Sequence, residues 1–89
     1  MRTEPVEIYA DTTNAAIMRH PDRRFPGVLI QGDTLYGMCK AADEACRSVD
    51  RSSAGFAEIN DLRNRLWTLL TSYKSALRDH DLPLPFSEY

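Results

Sequence analysis

Residues 5–11, PVEIYAD, alternate between apolar and polar positions. Val6, Ile8 and Ala10 point one way and Glu7, Tyr9 and Asp11 the other, the period of two expected of a half-buried strand. The polar run Asp11-Thr12-Thr13-Asn14 suits a turn. AAIMRH, residues 15–20, then alternates more weakly. Ala16 and Met18 share one face and Ile17 and Arg19 the other, so the segment reads as a second strand pairing back on the first. HPDRRFPG, residues 20–27, is rich in breakers, and Pro26-Gly27 suits a type II turn with glycine at positive φ. VLIQ, residues 28–31, reads either as a short third strand or as an extended lead-in to a helix, and the strand is the better fit.

From residue 33 the period changes to that of a helix. Leu35, Met38, Cys39, Ala42, Cys46 and Val49 fall at i, i+3, i+4, i+7, i+11 and i+14, a single stripe. Asp33 stands where an N-cap is expected, since its carboxylate can accept from free first-turn N–H groups. Lys40 with Glu44 and Asp43 with Arg47 form i,i+4 pairs on the opposite, wet face. Gly37 is costly inside a helix, which suggests either a close backbone approach or a weak spot. After DRSSAG, a longer stripe begins: Ile59, Leu62, Leu66, Leu70, Tyr73 and Leu77, widened by Phe56, Trp67 and Leu69. Pro83 and Pro85 stop it. The terminal DLPLPFSEY either lies extended over the core or awaits a partner.

Strands followed by two helices predict an α+β fold of order β-β-(β)-α-α, an N-terminal hairpin packed on an antiparallel helix pair. The expected organisation is one domain over 1–89: strands and a basic turn segment over 4–31, helices over 33–50 and 55–80, and an extended tail over 81–89. A chain of 89 residues fits one domain with a thin stability margin.

Charge changes this picture little. The formal net charge is -2, which supplies no global drive toward nucleic acid or anionic membrane. No apolar run is long enough to span a bilayer, and the N-terminal MRTEPVEIYAD lacks the core of a signal peptide, so a cytoplasmic home is the default expectation. Cys39 and Cys46, seven residues apart on one helix, lie about 10 Å apart along its axis, too far for a disulfide. A redox or metal role is the functional alternative, but no further cysteine completes a zinc set, and two small buried hydrophobes is the ordinary reading.

Candidate chemistry is sparse. His20 near Asp22 and Asp33, or His80 between Asp79 and Asp81, could serve as a general base oriented by a carboxylate. The Asp-His-Asp run falls where a helix should fray, and no nucleophile elbow, zincin motif or phosphate-cradling glycine loop is present. No catalytic, cofactor-binding or metal-ligating residue is therefore assigned, and no cofactor. The chain's one local basic cluster is Arg19, His20, Arg23 and Arg24. Its bland reading is a solvated loop whose arginines pair with the domain's own acids. Its functional reading is a rigid edge that recognises an acidic face of a protein partner. Phe25 and Tyr36 make a thin stacking set for nucleic acid.

The run Arg23-Arg24-Phe25-Pro26-Gly27-Val28-Leu29-Ile30-Gln31-Gly32-Asp33-Thr34-Leu35 resembles the signature of a small bacterial family of uncharacterised domains: a basic pair, Phe-Pro-Gly, three aliphatics, Gln-Gly-Asp, Ser or Thr, then Leu. With the preceding strands the resemblance spans about residues 5 to 50. It implies no activity and transfers no catalytic residue. Small standalone bacterial proteins of this type are often immunity proteins or other binding partners. The expectation is a non-enzymatic protein-binding module, foremost an immunity-type inhibitor, with Phe25, Val28 and Ile30 anchoring the segment to the core and Arg19, His20, Arg23 and Arg24 as contact residues. The rival expectations are a small enzyme or enzyme subunit using His20 with a nearby carboxylate, and a regulator that touches nucleic acid. A membrane partner is not expected, and self-association stays open.

Overall fold

The computed structural model describes residues 1–88. The element order is β1 (Glu7–Ala10), β2 (Ala15–Arg19), β3 (Gly27–Ile30), α1 (Gly32–Ser48) and α2 (Phe56–Asp79), the α+β layout expected from the change of period. The chain divides into two compact units, Met1–Gln31 and Gly32–Tyr89, each described by itself.

The first unit is a three-stranded antiparallel sheet of order β1-β2-β3. Ala15 pairs with Ile30, Ala16 with Leu29, Ile17 with Val28 and Met18 with Gly27. Because directly opposite residues share a face, Met18 and Leu29 fall on one side of the sheet, and Ile17 and Val28 on the other. In the outer pair Glu7 faces Arg19 and Ile8 faces Met18, but Ala10 then faces Ile17, so Tyr9 is an extra residue at a bulge. The strict alternation expected along residues 5–11 therefore breaks at Tyr9. Gly27 opens β3 rather than sitting in a type II turn, and none of the glycines takes a positive φ.

The second unit is a helix hairpin. Among the described residues its wholly shielded side chains are Cys39 on α1 and Leu70 on α2, both 0% exposed. The stripe of α2 runs through Phe56, Ile59, Leu66, Trp67, Tyr73 and Leu77, all half-buried, around Leu70. Leu62 and Leu69, expected in that stripe, are 56% and 59% exposed, and Met38 of α1 also faces water. Two helices alone cover less of each other's circumference than the apolar stripes span. Both cysteines are free thiols. Burial, and then the charge of Asp43, pushes the Cys39 thiol above its ordinary value, so it behaves as a small inert hydrophobe.

A polar tie joins the helices. Asp43 was expected on the wet face with Arg47, but its side chain is only 13% exposed and turns to α2. Arg63 Nε donates to Asp43 Oδ1 at 2.5 Å, and Trp67 Nε1 donates to the same oxygen at 2.9 Å. Arg47 pairs instead with Glu44 at i,i+3, taking the place expected for Lys40. Burial opposes ionisation of Asp43 and is the largest single influence. The Arg63 and Trp67 hydrogen bonds and the nearby cations together outweigh it and hold the carboxyl below the usual aspartate range.

The helix ends have local causes. α1 starts one residue before the expected boundary, so Asp33 lies in the first turn and accepts from Thr34 N–H at 2.9 Å instead of capping from outside. It stops at Ser48 because the next residues form a turn: Asp50 accepts Ser52 N–H and Ser52 Oγ–H at its carboxylate, and Ser53 N–H at its carbonyl. At the far end of α2, Leu82 N–H returns to the Leu77 carbonyl and Asp81 N–H to the Arg78 carbonyl, with Asp81 at φ 56°. That is a Schellman closure built on a left-handed aspartate, so Asp79-His80-Asp81 is fixed where fraying was expected. The tail folds back on the helices: Phe86 stacks on Tyr36 with ring centroids 4.3 Å apart, and Lys74 pairs with Glu88 at 2.8 Å.

Two glycines of α1 have opposite environments. A Cβ on Gly32 would fall 2.2 Å from the Tyr73 ring, whereas a Cβ on Gly37 meets nothing within 4 Å. Gly37 is therefore a weak spot and not a close approach. Gly37→Ala should raise stability by about 0.5–1 kcal/mol, and Gly32→Ala should lower it by about 1–3 kcal/mol by displacing Tyr73. Thermal melts of the two variants check both signs.

Leu70→Ala should cost about 2–5 kcal/mol and Leu66→Ala clearly less, since only Leu70 is wholly shielded. Chemical denaturation that ranks them the other way would displace the assigned core.

Because the folded Asp43 titrates below its unfolded value, its tie contributes fully above about pH 4 and fades as pH falls through the folded value. The gap in urea midpoint between wild type and Asp43→Asn should shrink as pH drops below about 4. A gap independent of pH would remove Asp43 from the tie.

Candidate partner-binding groove

The four residues of the basic cluster divide into two kinds. Arg19, at the end of β2, lies opposite Glu7 in the β1–β2 register and forms an ion pair with its carboxylate. Its Nη1 also donates to the carbonyl of Arg23 at 2.9 Å. The Arg19 hydrogen bond and charge hold the Glu7 carboxyl below its usual range, and Glu7 raises the guanidinium in return. Arg19 is thus a strut that fixes the turn to the sheet, paired with one of the domain's own acids as the bland reading of the cluster expects.

His20 begins that turn. Its carbonyl accepts Arg23 N–H at 2.9 Å, and its ring Nδ1 accepts Asp22 N–H at 3.1 Å. The Asp22 carboxylate lies 3.5 Å from Arg2 Nη2 and makes no ion pair with the imidazole. The His20–carboxylate pair that a general base would need with Asp22 is therefore not formed within this unit.

Arg23 and Arg24 are exposed and pair with no acid among the described residues. The Arg24 guanidinium lies 5.4 Å from the centre of the Phe25 ring, a cation–π distance. Phe25 and Val28 were expected to anchor the segment inward, but they are 71% and 59% exposed, and only Ile30 is half-buried. Strands of four or five residues in a three-stranded sheet leave no second layer within this unit to cover them.

These side chains enclose an open groove of about 560 Å³ along β3. Val6, Met18, Phe25 and Leu29 supply its apolar surface, and His20, Arg23 and Arg24 rim it. No acidic residue lines it. Its depth comes from Gly27: Met18 pairs with a residue that has no side chain, and a Cβ added there would meet nothing within 4 Å. The sequence reading missed Met18, Leu29 and Val6 as part of this surface. The signal that could have found them is the pairing of Met18 with glycine, which requires the register. β3 pairs with β2 on one side only, so the other edge of its backbone carries no strand.

Among the described residues no group of three or more His, Cys, Asp or Glu side chains comes together as a metal set, and no helix is long and apolar enough to cross a membrane.

No curated protein and no solved structure matches the chain. A family of unknown function does, over residues 1–86, so the match runs through the second helix and most of the tail, beyond the strands and signature segment on which the resemblance was read. The chain belongs to that family, DUF6959.

Proposed function

We propose that this chain is a non-enzymatic protein-binding module that takes an extended acidic segment of a partner along β3. The observation that carries this reading is the groove: an apolar floor, a cationic rim and no acid in its lining. An extended segment presents side chains alternately to two faces. Apolar residues of such a segment suit the hollow over Gly27 and Met18, while carboxylates can reach Arg23 and Arg24, whose forked donors match them. The free edge of β3 can add main-chain hydrogen bonds, as in strand addition to an exposed sheet edge. The opposite edge is poorly suited, since β1 is bulged at Tyr9, follows Pro5 and carries Glu7. An immunity-type inhibitor is one biological form of such a module, because it must dock on a larger protein and needs no catalytic group.

The test uses labelled synthetic peptides that alternate leucine with glutamate, or leucine with lysine, read by fluorescence anisotropy against the full chain. The glutamate peptide should bind and the lysine peptide should not. Arg23→Glu with Arg24→Glu should weaken binding by at least about tenfold while circular dichroism is unchanged. Gly27→Val, which meets no atom and suits a strand, should weaken it comparably by filling the hollow. It decides the case should the double reversal unfold. Equal binding of both peptides, or full affinity in a folded double variant, defeats the reading. A concentration-dependent dimer in sedimentation that Gly27→Val abolishes would assign the edge to a second copy of this chain instead.

A further inference from the structure

A second concavity, of about 490 Å³, lies in the helical unit at the corner where α1 turns into α2. Its charged lining is Arg47, Arg51, Arg63 and Asp43, so three of the four charged groups are guanidiniums. The remaining wall is the apolar pair Val49 and Phe56, together with Cys46 and Asn60.

The acids in and around this pit already have partners. Asp43 is held by Arg63 and Trp67, Glu44 by Arg47, and Asp50 by Ser52 and its own turn. Each cation, by contrast, keeps donors. Arg63 contacts Asp43 through Nε, which leaves both terminal nitrogens. Arg47 contacts Glu44 through Nη1 alone. Arg51 pairs with no acid among the described residues. The Asp43 tie also fixes the direction of Arg63, so one guanidinium is preorganised on the helix pair.

We propose that this pit binds the phosphate group of a small phosphomonoester. Several guanidiniums lining one pit match a tetrahedral dianion better than a planar monoanion, because each fork can take a separate oxygen. The pit is too large for a bare phosphate, and Phe56 with Val49 offers an apolar wall for an organic substituent. This site lies in a different unit from the β3 groove and stands or falls independently of it.

The experiment is an amide NMR titration of the full chain with inorganic phosphate, phenyl phosphate and acetate at constant ionic strength. Phosphate should give saturable shifts centred on Cys46, Arg51 and Asn60, phenyl phosphate should bind more tightly, and acetate should barely perturb them. Arg51→Gln, in an exposed turn where it supports no other group, should leave the spectrum folded and weaken phenyl phosphate binding by about tenfold, the scale of one charge-assisted hydrogen bond. Arg47→Gln should act in the same direction. Shifts spread over the whole surface, an unchanged affinity in Arg51→Gln, or acetate matching phosphate would each overturn the assignment.

Discussion

Among the described residues Cys39 and Leu70 are the wholly shielded apolar side chains, and both belong to the helix hairpin. So little buried volume is a severe constraint, because burial of apolar surface is the dominant favourable contribution to folding. Its consequences run through both units. The helices are tied by a carboxylate shared between Arg63 and Trp67, where a larger protein would use more aliphatic packing. The tail is recruited to stack Phe86 on Tyr36. The outer strand pair is braced by Glu7 and Arg19, an ion pair in partial contact with water that contributes direction more than stability. Apolar side chains that find no cover, among them Phe25, Leu29 and Leu69, remain on the surface.

Much of this was legible along the chain. The alternation of Ala16 and Met18 against Ile17 and Arg19 places β2 and its faces correctly, and the change to a period near 3.6 after residue 32 locates both helices within about two residues. What was illegible depends on distant partners. Asp43 and Arg47 look like an i,i+4 surface pair because helical spacing reports only on a residue's own helix, whereas Arg63 and Trp67 lie on the other one. Leu62 and Leu69 fit the apolar stripe by spacing, but the width of the face a neighbour covers is a tertiary fact. Gly27 after proline has the look of a turn glycine, and its role as the gap opposite Met18 appears only with the register.

The basic segment shows the same division at the level of function. Spacing could gather Arg19, His20, Arg23 and Arg24 into one cluster, but could not tell which members were already occupied. Arg19 reaches both Glu7 and the Arg23 carbonyl, so it builds the turn. His20 closes that turn through its carbonyl and its ring nitrogen. What they hold in place is the pair Arg23 and Arg24, and this makes the outer two arginines a fixed feature of the surface instead of two mobile charges. A charge held in position loses less conformational entropy when a partner arrives.

Arginine is thus asked to do two different things in this chain, and the deciding variable is competition for its donors. Arg2, Arg19, Arg47, Arg63, Arg65 and Arg78 each have a carboxylate within ion-pair distance. Arg23, Arg24 and Arg51 have none among the described residues, although the chain is acidic overall and supplies more carboxylates than cations. An unpaired guanidinium on an acidic protein is not explained by a shortage of partners. The carboxylates beside these arginines in the chain are already engaged: Asp22 lies within ion-pair distance of Arg2, and Asp50 accepts Ser52 N–H and Oγ–H. The three arginines line the two concavities described above, one floored by apolar side chains and one walled mainly by polar ones. The difference in lining is the reason the two proposed ligands differ, an amphipathic acidic strand for the first and a phosphomonoester for the second.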